Sequence, residues 1–406
     1  MRGFSLPRPR QLWRQLHWCI GITAGTLLMA IGLSGAILSY REEVTDWLNP
    51  GGRSVAVRDL AALQPNALLA AGQRSRPGRE VGTLTVFAVP GAAARMVFAP
   101  STGQRRGDTV YLDPYTGAAL PPLRGGEFFE TVDSLHRWLL LPREPGRATT
   151  GVLAVALLLL AASGLVVRWP RQWRSWRAWF GIAPKLKTRA LLARWHAVVG
   201  TCVLPVYVLS AATGLYWSFD AVRDQAHAWW GAAQSGAPEG GQGARMRAAE
   251  RAARQSLAGL DIGPAWTAFA QRAGAGWSEA SIRAQGGARA SLQLTWLDRS
   301  PAHERARNRM RLSLPQGDVL LDERHDAKPT GERLLAAVYP LHVGSYFGPV
   351  GRAVMLLAAL ALPLFGISGW WLYLDRRRPC SRSTAAVAAA RRPLGRLDAP
   401  GAQRES

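Results

Sequence analysis

Apolar residues in this chain fall into four long runs, separated by polar stretches of very different length. The first run, Leu16 to Tyr40, holds 25 residues, and about 20 suffice to cross a bilayer core. The others run from about Ala148 to Val167, Trp195 to Phe219 and Val350 to Leu374. Each predicts a membrane-spanning helix. A cleavable signal peptide would have a shorter apolar core and a small-residue cleavage site, which the first run lacks. Gly21 and Gly25 form a small-xxx-small pair in span 1, a spacing that allows close helix contact.

The polar stretches read differently. Residues 41–135 alternate in Gly82–Val89 and Arg95–Ala99, then give a strand, the turn Asp113-Pro-Tyr-Thr-Gly117 and a second strand. Residues 220–341 carry a helical stretch around Ala244–Leu257 and strands at Ser291–Trp296 and Arg309–Leu314. Each predicts a small α+β domain. Gly236–Gly243 is a loop whose glycines follow no strand, so no nucleotide site is read there.

Charge fixes an orientation. Residues 168–194 hold eight Lys or Arg and no acid, together with Trp169, Trp173, Trp176 and Trp179. Short basic loops stay in the cytoplasm, and tryptophans anchor at interfaces. Both termini then lie in the cytoplasm and both α+β domains lie outside. The expected order is 1–40 N-terminus and span 1; 41–135 first outer domain; 136–167 lead-in and span 2; 168–194 basic loop; 195–219 span 3; 220–341 second outer domain; 342–374 lead-in and span 4; 375–406 a disordered tail. The net charge of +23 concentrates beside the spans, so topology explains it without a nucleic-acid partner. A mean hydropathy of −0.03 averages over two unlike kinds of segment and decides nothing. Three cysteines, two of them within spans, make neither a disulfide framework nor a CxxC site.

The spans repeat in pairs. His17 lies 17 residues before Ser34 and 18 before Gly35, and His196 stands the same distances before Thr213 and Gly214. His136 leads to Gly146-Arg147 and Ser163-Gly164, as His342 leads to Gly351-Arg352 and Ser368-Gly369. The fold class is thus a polytopic α-helical membrane protein, with four spans in two parallel repeats and two outer α+β domains. His17 and His196 enter from the cytoplasmic face, and His136 and His342 lie at the outer face.

Paired neutral imidazoles at one depth on different helices suit the two axial positions of a haem iron. The competing reading is an amphipathic residue in the headgroup zone. Copper or zinc would need three or four donors at one point. Arg147 and Arg352 outside could contact haem propionates, although arginine at a helix end is otherwise a topology signal. Arg137 on that side, and Arg14 and Arg194 inside, share both readings. His227, His303 and His325 are expected to be solvated or structural. Glu42-Glu43 reads as a helix-end surface feature, or as help for a cationic ligand. No GxSxG, HExxH or P-loop occurs.

Leu16-His17-Trp18, Gly32-Leu-Ser-Gly35, Arg41-Glu-Glu43, Trp47-Leu-Asn-Pro50, Tyr111-Leu-Asp-Pro-Tyr-Thr-Gly117, Leu135-His136-Arg137, Arg194-Trp195-His196 and Leu341-His342 resemble the bacterial PepSY-associated transmembrane proteins. The resemblance implies an inner-membrane ferric-siderophore reductase with two b-type haems and two periplasmic PepSY-like domains. It implies His17 and His196 as ligands of a cytoplasmic-side haem and His136 and His342 as ligands of a periplasmic-side one. The partners would be the bilayer, a periplasmic ferric siderophore and an electron donor, either a quinol or a cytoplasmic reductase. The turn at Leu314-Pro-Gln-Gly-Asp departs from the Asp-Pro-x-Thr-Gly form, and no flavin domain is appended. The alternative function is a non-enzymatic accessory or regulatory binding protein. A permease is disfavoured, since the spans carry no intramembrane charge and no broken helix.

Overall fold

A computed structural model describes residues 9–100, 107–182, 188–230, 254–286, 290–314 and 316–377. The glycine-rich loop at 236–243, nearly all of the helical stretch expected at 244–257, and the tail beyond 377 lie outside these residues. Among the described residues, four helices are long and apolar enough to cross a membrane. They are α1 (Pro9–Leu38), α5 (Arg143–Arg168), α7 (Thr188–Ser218) and α11 (Gly348–Arg377). Pro205 and Pro363 sit inside α7 and α11, which spanning helices tolerate.

These four helices form a closed ring, with α1 against α5 and α11, and α7 against the same two. The centre is apolar: Leu28, Leu153, Leu157, Tyr207, Ala211 and Ala358 pack together. The Tyr207 hydroxyl donates to the Ala358 carbonyl at 2.9 Å, which satisfies both buried groups. Close contact is made at Gly32, where a Cβ would lie 2.7 Å from the Ala359 carbonyl of α11. The Gly21 and Gly25 pair expected to do this does not. Gly21 has only a Leu160 methyl 3.8 Å away, and Gly25 meets no neighbouring helix. The chain crosses at the one glycine that faces α11, whatever the spacing of the others.

Short helices cap one end of the ring. They are α2 (Arg41–Leu48), α4 (Gly126–Trp138), α8 (Asp220–Trp230) and α10 (Thr330–Val343). After α4 the chain turns back through Leu139 and Leu140, both at positive φ, into Pro142 and α5. Gly146 makes that turn possible, because a Cβ there would lie 2.5 Å from the Trp138 carbonyl. Gly351 does the same for the turn after α10, where a Cβ would run into the Gly344 carbonyl. The glycine of each Gly-Arg dipeptide therefore exists to let a cap helix fold onto its span.

Above the caps lies one sheet. Its strands β1 (Val81–Phe87), β2 (Ala94–Phe98), β3 (Thr109–Leu112), β5 (Trp277–Gln285), β6 (Ser291–Asp298), β7 (Asn308–Ser313) and β8 (Val319–Glu323) run in the order β3-β2-β1-β5-β6-β7-β8, and β4 (Arg254–Gln255) pairs with β5. Helices α3 (Pro65–Ser75) and α9 (Gly263–Ala273) each contact the strands and one another. The sequence suggests two separate outer domains. The described residues instead join both segments, because β1 pairs antiparallel with β5. One apolar row crosses the join: Val110, Met96, Leu84, Ile282, Leu294 and Met310 are successive register partners. All six are buried in a single core with Leu68 of α3 and Phe269 of α9. On the opposite side of the strands, Thr85 and Ser281 hydrogen-bond to each other at 2.9 Å.

The Asp113 turn forms as its residues dictate. Gly117 takes φ +72°, and the Asp113 carboxylate accepts from the Tyr115 and Thr116 amides at 2.8 and 3.2 Å. Burial opposes the charge, but these donors and Arg58 hold the carboxyl below its ordinary range. The second strand expected after this turn is reduced to a single bridge, Leu112 to Ala119.

Candidate functional site: two histidine pairs

The four spacing-matched histidines meet in two pairs. His17 and His196 have ring centroids 6.3 Å apart, and so do His136 and His342. The rings are crossed, at 78° and 67°. His17 and His196 sit on α1 and α7, on opposite sides of the ring of helices. His136 and His342 sit on the cap helices α4 and α10 rather than on spans. From His17 to Ser34 on α1 the rise is about 25 Å, which separates the two layers by most of a bilayer core.

Every one of these rings is held by its Nδ1, and the holder comes from another helix. His17 Nδ1 lies 2.9 Å from Ser163 Oγ, His196 Nδ1 2.8 Å from Ser368 Oγ, and His342 Nδ1 2.7 Å from Thr213 Oγ1. His136 Nδ1 meets the Ile31 carbonyl at 3.0 Å and Ser34 Oγ at 3.3 Å. The tautomer follows from the hydroxyls. Each gives its own proton to a carbonyl one turn back: Ser163 to Leu160, Ser368 to Phe365, Thr213 to Leu209, Ser34 to Ala30. With that proton on the carbonyl, the hydroxyl accepts from the histidine, and the Ile31 carbonyl beside His136 Nδ1 can only accept. Each imidazole is therefore protonated at Nδ1 and presents its Nε2 lone pair. Among the described residues no hydrogen bond engages those Nε2 atoms.

This explains the hydroxyl–glycine dipeptides, whose spacing was visible but whose role was not. Ser163, Ser368, Thr213 and Ser34 are the histidines' acceptors, each buried. Two of the glycines also give room to a ring: a Cβ at Gly35 would lie 3.0 Å from His136 Cε1, and one at Gly164 3.3 Å from His17 Cε1. Aromatic rings complete the surroundings. Trp217 stands 5.1 Å from His342 and Phe365 4.9 Å from His196, with Tyr207 a further 6.1 Å on, centroid to centroid.

The donor sets select among metals. Two imidazoles bonded at about 2 Å on opposite sides of one ion place their ring centres roughly 6 Å apart, and on a tetrahedral ion roughly 5 Å apart. The spacing of 6.3 Å in both pairs leaves room for one ion between the two rings. An ion held by side chains alone needs three or four donors, and among the described residues no group of three His, Cys, Asp or Glu comes together. Two neutral histidines are enough where a porphyrin supplies the other four nitrogens. The residues present fit a haem at each pair.

The arginines are committed elsewhere. Arg147 donates to the Ser218 carbonyl at 2.9 Å and pairs with Asp220 at 2.7 Å. Arg352 donates to the Ser39 carbonyl at 2.7 Å and pairs with Glu43. Both were expected from sequence as possible propionate contacts; in the structure each ties a span to the end of its neighbour. Arg137 pairs with Asp133 and lies over Trp138. Glu42 is likewise taken by Arg53, so the Glu42-Glu43 pair is neutralised within the chain. His303 and His325 are buried against each other, 5.4 Å between centroids, and His303 Nδ1 accepts from the Arg305 amide. His227 contacts the Tyr216 hydroxyl at 3.2 Å.

Comparison with known proteins agrees with this architecture. The model of the PepSY-associated TM region matches residues 14–376, and the chain belongs to that family. No curated protein matches it.

Proposed function

We propose that this member of the family passes single electrons across the bacterial inner membrane to a ferric siderophore on the sheet side, which is the periplasm. The observation that carries the reading is the pair of 6.3 Å histidine couples, one near each end of an apolar helix bundle. Bound b-type haem would supply a one-electron Fe(III)/Fe(II) couple, tuned by the histidines that hold it and by their burial. The chain does the rest. His17 and His196 would hold one group, and His136 and His342 the other. Ser163, Ser368, Thr213 and the Ile31 carbonyl keep the Nδ1 protons in place, so that Nε2 stays a lone-pair donor. Leu28, Leu153, Leu157 and Tyr207 exclude water between the layers. At the outer face the product is Fe(II), a softer ion that hard oxygen donors hold less tightly, so reduction releases it.

The test is the absorption spectrum of the detergent-purified protein, oxidised and then reduced with dithionite, with a pyridine haemochrome count. About two haems per chain are expected, one lost in His17→Ala and the other in His342→Ala. A colourless protein made with ample haem supply would sink this reading and leave a non-enzymatic binding protein.

A further inference from the structure

Residues 169–182 of the basic loop after α5 fold against the end of the bundle that holds His17 and His196. Its short helix α6 (Trp176–Phe180) is bound from both sides. Arg168, the last residue of α5, donates to the Ala178 and Trp179 carbonyls at 2.8 and 2.6 Å. Arg194, on α7, donates to the Gly181 and Arg177 carbonyls at 2.6 and 3.2 Å. Trp179 donates from Nε1 to the Trp173 carbonyl at 2.7 Å and meets Trp169 edge-on at 5.6 Å. Arg10 of α1 adds a bond to the Trp169 carbonyl at 2.7 Å. A solvated polybasic loop would make few such contacts.

Between these residues and the spans lies an open cleft of about 420 Å³. Leu165 of α5 and Thr201 of α7 form its wall, and Trp173, Trp176, Trp179 and Arg174 its lid. Leu165 is two residues beyond Ser163, the partner of His17, and Thr201 is five beyond His196. The cleft therefore stands within about two helical turns of the inner histidine pair. Its rim is apolar and open: Trp176 is 78 % exposed and Trp173 55 %. Tryptophans beside arginines at the end of a span belong at the membrane surface, so the cleft opens toward lipid.

The lining suits an occupant that is flat, apolar and lipid-borne and carries ring oxygens for Arg174 and Thr201. Stacking surface comes from the tryptophans. Arg174 lies over Trp173 and has no ion pair among the described residues, so it can donate to a ring oxygen. Thr201 gives its own proton to the Ala197 carbonyl at 2.8 Å, which leaves its Oγ1 lone pairs to accept an O–H. We propose that this cleft binds a membrane quinol and is where electrons enter the chain, a reading that rests on the electron-transfer function above. Oxidation to the quinone breaks two O–H bonds, sends two protons to water at this face and frees two electrons. Two ferric chelates take up one electron each, so one quinol serves two irons.

The test uses the full chain in lipid nanodiscs. Illumination with an azido-ubiquinone should label peptides containing 165–179 or 201, and Thr201→Trp, which fills the cleft, should abolish the label. In anaerobic stopped flow, decylubiquinol should reduce the wild-type protein at the Soret band. Thr201→Trp should be at least ten-fold slower while its dithionite-reduced spectrum stays unchanged. Should Thr201→Trp fail to fold, Leu165→Phe fills the same space. Label elsewhere, or quinol reduction unaffected by filling, overturns the proposal. A protein that labels in the cleft but shows no haem keeps the quinone site and removes the electron-transfer reading.

Discussion

His342 and Thr213 face each other across the contact between α10 and α7, Nδ1 to Oγ1 at 2.7 Å, the shortest of the four histidine–hydroxyl bonds. The Thr213 proton is used on Leu209 and Ser210 carbonyls, so the bond runs from His342 to Thr213. In Thr213→Val the Nδ1–H loses its acceptor in a buried place, at a cost of about 1–3 kcal/mol. Second partners of this kind change ligand affinity by about 10–100-fold. On the proposed function, Thr213→Val should therefore lose the outer haem first on dilution and keep the inner one, while Thr213→Ser keeps both. The haemochrome count after gel filtration reads this; equal retention in all three proteins would remove the hydroxyl from the site.

The glycines behind the hydroxyls are not equivalent, although they occupy matching positions. A methyl at Gly35 would press on His136 at 3.0 Å, whereas one at Gly369 would meet nothing within 4 Å. Gly35→Ala should displace the outer ring and shift or bleach its share of the spectrum. Gly369→Ala should leave the spectrum alone and raise the melting temperature, since alanine is favoured in helices by up to about 1 kcal/mol. The same spectral change in both variants would refute the contact.

What was legible in the sequence, and what was not, divides along the range of the interaction. A bilayer demands some 20 apolar residues in succession, a local requirement, so α1, α5, α7 and α11 can be read directly. The histidines stood out because the spacing to Ser or Thr recurs. The bond that gives the spacing its meaning joins residues 129 to 172 apart in three of the four cases, and no local pattern announces it. The same holds for the sheet. Strand β5 carries Glu279 and Arg283 among its residues, and its partner β1 lies about 200 positions earlier in the chain. Arg147 and Arg352 look like free cations in the sequence. Only the fold brings the Ser218 and Ser39 carbonyls to them.

Glu43 gives a dependence on pH. Hydrogen bonding to Arg352 holds its carboxyl below the ordinary value of 4.5. A depressed carboxyl stabilises the fold above the unfolded-state value, and that stability is lost as the pH falls through the lower folded-state value. Glu43 is about half exposed (49 %), so screening keeps the pair under about 1 kcal/mol. Glu43→Gln should lower the melting temperature by about 2–4 °C at most at pH 7. The gap should close below about pH 4. Differential scanning fluorimetry in detergent at both pH values checks this, and a gap that widens in acid would contradict the sign.

The row that runs through Leu84 and Ile282 makes both extramembrane segments depend on one core. Ile282 is 1 % exposed and Leu84 fully buried, and they are register partners on β5 and β1. Ile282→Asp removes a buried side chain, at about 2–5 kcal/mol, and adds an unpaired buried carboxyl, which costs several kcal/mol more. That sum rivals the whole stability of an ordinary domain. Limited proteolysis should then cut residues 81–112 and residues 277–323 together, at one protease concentration, while the spans stay protected by detergent. Residues 41–135 expressed alone should not fold, because β1 would keep an open edge and Leu84 would lose its partner on β5. Cleavage confined to 277–323, or a folded 41–135 fragment, would instead mean that each segment has a core of its own.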